Sequence, residues 1–120
     1  MRPRLATRQA FLESLRTVLK EDPPLTTPLD QPGADYALWA VLLWRVNDAI
    51  AASDWARLRA LLELYDAAER AGQRGEMNEA SYVAFLQDVR LPSDPAALRE
   101  FWRHAPPLFA AALKRDRGLR

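Results

Sequence analysis

Three carboxylates, Glu63, Asp66 and Glu69, recur at every third residue within a segment of helical leucine spacing. Placed at i, i+3 and i+6 they share one side of a helix, where they can hold a hard cation or offer negative charge to a partner. Metal sites in helix bundles ask for more, pairing Glu with Glu-x-x-His on facing helices. This chain has one histidine, His104, and Glu100 precedes it by four positions rather than three. It has no cysteine, so soft thiolate ligands are also missing. The trio therefore reads as a solvated acidic face without a metal, continued by Glu76 and Glu79 after the next turn. No cofactor is expected.

A second constellation is aromatic. Trp39, Trp44, Trp55 and Trp102, with Tyr36, Tyr65 and Tyr82, have the residue types that line apolar ligand pockets. At helical spacing the same residues make an ordinary core. Asn47 and Asp48 follow the greasy run Tyr36 to Trp44 and would sit near a partly buried interior, beside Arg45. An Arg45–Asp48 contact at i, i+3 would satisfy that pair. The pocket alternative thus consists of Tyr36, Trp39, Asn47, Asp48 and His104. His104 has a simpler role open to it, bonding the free carbonyls at a helix end. A Gly-rich phosphate loop, a GxSxG elbow and a helix-turn-helix signature are all absent, as are the metalloprotease and zinc-deaminase patterns.

The balance of the chain suits a soluble globular domain. Its 120 residues are 49% hydrophobic and 28% charged, enough to bury a core without disulfides. Net charge is +1, but it is unevenly spread: residues 1–20 sum to +4, residues 21–98 to −7 and residues 99–120 to +4. Such a division favours electrostatic docking if the ends lie together, and otherwise describes solvated termini. Fifteen of the 17 basic residues are arginine, and with frequent alanine and one isoleucine this follows GC-rich coding rather than phosphate binding. The basic N-terminus leads into no apolar run of signal-peptide type. The longest apolar stretch, nine residues from Tyr36 to Trp44, falls short of the roughly 20 needed to span a bilayer. A cytoplasmic location is expected, without a membrane partner.

These residues need helices to position them, and helical periodicity dominates. The spacing predicts a first helix over 7–20, ending before Asp22-Pro23-Pro24. Residues 21–34 form a proline-rich connection that Leu25 and Leu29 would pin to the core. A second helix over 36–52, capped by Asp35, is apolar on every face and should be central. Ser53 or Asp54 caps a third helix running to about Ala71, with the stripe Leu58, Leu61, Leu62, Tyr65 and Ala68. The fourth, from Met77 or Asn78 to about Arg90, turns Tyr82, Phe85, Leu86 and Val89 inward. Ser93-Asp94-Pro95 opens a fifth carrying Leu98, Phe101 and Trp102, and Pro107 a sixth carrying Phe109 and Leu113. The expectation is a single all-α domain over 1–120, a bundle of five or six mostly antiparallel helices. Trp39, Leu42, Leu61, Tyr65, Phe85 and Trp102 should belong to its core.

The stretch Asn78-Glu-Ala-Ser-Tyr-Val-Ala-Phe-Leu-Gln-Asp-Val89, after a polar helix and a Gly-rich turn, resembles a family of small helical bacterial proteins. That family's function is unknown, and some members resemble immunity proteins encoded beside secreted toxins. Its Val-x-Phe-Leu-Glu stretch reads here Val83-Ala84-Phe85-Leu86-Gln87, with Gln in place of Glu. The resemblance spans residues 36–90 and implies an all-helical fold and a binding role; it supplies no active site. The leading reading is a non-catalytic protein that docks a basic protein partner through its acidic middle section. The alternative is a ligand-binding or catalytic bundle with a Trp/Tyr-lined interior. A homodimer sharing the second helix fits the same pattern, and a nucleic-acid partner ranks last.

Overall fold

The computed structural model describes residues 3–72 and 76–119, with side chains described from Thr7 and, in the second span, from Asn78. Six helices follow one another: α1 (Pro3–Leu19), α2 (Ala34–Ala51), α3 (Trp55–Arg70), α4 (Glu76–Val83), α5 (Pro95–His104) and α6 (Pro107–Asp116). A single 3-10 turn, Leu86–Asp88, separates α4 from α5, and the described residues contain no strand. The all-α bundle anticipated from periodicity is the fold. Helix α3 packs against α1, α2, α5 and α6, and α2 against α1, α3 and α4.

An aromatic chain runs through the centre. Trp39 of α2 meets Phe11 of α1 at 4.7 Å between ring centroids, Phe85 at 5.4 Å and Tyr65 of α3 at 5.8 Å. Phe109 of α6 continues it to Phe85 at 6.0 Å and to Phe101 of α5 at 6.2 Å. Tilted and edge-to-face pairs of this kind add to plain burial because ring edges meet ring faces. Of the six residues assigned to the core, Trp39, Leu42, Leu61, Tyr65 and Phe85 are buried. Trp102 is only partly buried, packed against the core from outside while Lys114 lies 5.1 Å over its ring.

The turn between α2 and α3 falls where expected. The Asp54 N–H bonds the Ala49 carbonyl at 2.9 Å and the Ser53 N–H the Ile50 carbonyl at 3.1 Å, with Ser53 in the left-handed region. This pair of bonds closes the C-terminus of α2 in the Schellman pattern. Asp54 then caps α3 by accepting from the Arg57 N–H. Asp94 caps α5 from the Ala97 N–H at 2.9 Å, with Pro95 in the first turn. Leu25 and Leu29 are packed against the core as anticipated.

Several expectations require correction. Asp35 is not the cap of α2: that position is Gly33, and Asp35 lies in the first turn, fully buried. Its charge is matched by Arg8 of α1, also buried, whose Nε donates to Asp35 Oδ1 at 2.6 Å and Nη2 to Oδ2 at 3.3 Å. Arg8 Nη1 also donates to the carbonyls of Leu29 at 2.9 Å and Gln31 at 3.4 Å. One guanidinium thus ties α1, α2 and the proline-rich connection together, as a buried cation must be tied. Arg45 pairs with Glu21 at 2.5 Å, not with Asp48. Helix α4 ends at Val83, well before Arg90, and Tyr82 faces solvent.

Candidate functional site

The acidic face divides on the folded chain. From Glu63 to Glu69 the i, i+3, i+6 spacing sweeps roughly 120° around a helix, so the three carboxylates do not look the same way. Glu63 is exposed, Glu69 partly exposed, and Asp66 buried at 1% exposure. The expectation that Asp66 is solvated is therefore wrong, and the reason is local. Helix α6 starts at Ala105-Pro106-Pro107, which supplies no capping side chain of its own. Asp66 takes that place from α3, accepting the Phe109 N–H at 2.7 Å and the Leu108 N–H at 3.0 Å. A carboxylate at a helix N-terminus also meets the positive end of the dipole. Two first-turn amides without a local acceptor were the only sequence signal of this role.

The next carboxylates converge elsewhere. Glu69 of α3 and Glu79 of α4 line a cleft of about 710 Å³, with Asn78, Ser81 and Tyr82 on the α4 wall and Arg115 and Asp116 on the α6 wall. Tyr65 forms part of its floor. Its phenol is pushed up to about 12 from 10.0, first because burial disfavours the phenolate and next because Glu69 stands beside it. Its ring remains in the core. Ser81 is turned back on its own helix, its hydroxyl donating to the Asn78 carbonyl at 2.7 Å. Asp116 pairs with Arg117 Nε at 3.1 Å. Tyr82 stands out at 46% exposure, with Val83 beside it at 44%. The Glu76 side chain, assigned to the same face, lies outside the described residues.

The residues of the pocket alternative are not brought together. None of Tyr36, Trp39, Asn47, Asp48 and His104 lines the cleft. Trp39 is sealed in the aromatic chain, Tyr36 is half-buried against the core, and Asp48 is exposed. Asn47 acts as a brace: its Nδ2 donates to the Asp88 carbonyl at 3.2 Å and its Oδ1 accepts the Arg90 N–H at 2.9 Å. From the other side Arg117 Nη2 donates to the carbonyls of Val89 at 2.7 Å, Leu86 at 3.2 Å and Gln87 at 3.3 Å. These two side chains satisfy main-chain groups that a continued helix would have paired internally, which is why α4 stops early. His104 stacks on Trp55 with centroids 6.3 Å apart, its Nδ1 2.9 Å from the Glu100 carbonyl oxygen. Among the described residues no group of three or more His, Asp or Glu side chains is arranged to hold a metal ion.

No family model, curated protein or solved structure matches the chain. The likeness of residues 36–90 to small helical bacterial proteins rests on its quoted residues alone. Among the described residues, no helix is long and apolar enough to cross a membrane.

Proposed function

We propose that this chain is a non-catalytic binding module that docks a basic protein partner on the face formed by α3 and α4. The observation that carries this reading is the cleft, where carboxylates from two helices flank an exposed tyrosine. An aromatic side chain with charge around it is the usual make-up of a protein-binding hot spot. The remaining candidates for chemistry, Asn47, His104 and Asp66, are engaged in holding the fold. An immunity or inhibitor-type role, covering a basic surface on a toxin or enzyme, fits the −7 charge of residues 21–98. The bacterial, cytoplasmic setting belongs to the same proposal.

The test is co-purification from the native host with a tagged chain, followed by charge reversal. Glu63→Lys with Glu79→Lys changes two exposed positions and leaves the Asp66 cap intact. The reversed chain should keep its helical dichroism and lose its partner. Association of the parent should slow as salt screens the field over about 8–10 Å. Retention of the same partner by the reversed chain at low salt would falsify the reading.

A further inference from the structure

We draw no further inference here: the strongest candidate, the surface patch on α2 where Trp44 stands 61% exposed beside the partly buried Ala37, Ala40 and Leu43, is an apolar helix face, and nothing in the structure shows what covers it.

Discussion

Asp66 shows how one residue can change role between spacing and fold. It sits in an acidic trio, but its carboxylate is the acceptor for two amides at the start of α6. Removing it leaves the buried Phe109 amide and the part-buried Leu108 amide without their acceptor, so Asp66→Ala should cost about 2–3 kcal/mol in urea denaturation. Glu63→Ala, three residues earlier on the exposed side, should change stability by less than about 0.5 kcal/mol. Phe85 lies fully buried among Trp39, Tyr65 and Phe109. Its truncation to Ala should cost about 3–5 kcal/mol in the same assay. Tyr65 adds a dependence on alkaline pH. With its phenol raised to about 12, the folded chain keeps a proton that the unfolded chain releases near 10.0. The unfolded state therefore binds fewer protons in this window, and stability falls as pH rises from about 10 to 12, at roughly 1.4 kcal/mol per unit at most. Equilibrium unfolding across that range should show the decline, and Tyr65→Phe should flatten it.

At the scale of elements, the ends of the helices are where local and distant chemistry compete. The α2–α3 turn is local: three consecutive amides bond back into α2, and Asp54 caps α3. Its one strained point is Ser53 at φ 54°, a conformation that costs a side chain about 1–2 kcal/mol. Ser53→Gly relieves that strain and gives back part of the gain as unfolded-chain entropy, leaving about 0.5–1 kcal/mol of added stability in a thermal melt. The end of α4 is decided from a distance. Asn47 and Arg117 hold the main chain of 86–90 from opposite sides. Arg117→Ala should speed hydrogen exchange of amides 84–90 while the centres of α2 and α3 keep their protection. Uniform acceleration across the molecule would show that Arg117 supports the whole bundle instead.

For the molecule as a whole, the division of charge acquires a place. The negative middle section includes α3 and α4, whose carboxylates meet α6 at two places: Asp66 at its first amides, and Glu69 and Glu79 across the cleft from Arg115 and Asp116. One aromatic chain crosses α1, α2, α3, α5 and α6, so the bundle holds that cleft on packed elements rather than on a loose loop. Arg8 adds a second tie, fastening the proline-rich connection to both α1 and α2. Docking on such a framework should need little rearrangement, and its energy should rest on a few side chains around Tyr82.

The sequence by itself determined the helical class, the turns and most of the core. Those follow from periodicity, from proline and glycine, and from caps such as Asp54 and Asp94, all of which act within a few residues of chain. The site was legible only in part: Glu69 and Glu79 were visible as candidates, but Tyr82 was assigned to the interior and Asp66 to solvent. The tertiary structure decided these because each depends on a partner distant in sequence. Asp66 is buried by amides 42 and 43 positions away, Asn47 is engaged 41 and 43 positions away, and Arg117 reaches back 28 to 31. A polar side chain near a helix surface has the same local pattern whether water or a neighbouring helix end satisfies it. Only packing selects between the two, because a buried main-chain donor or acceptor must find a partner wherever the fold brings one.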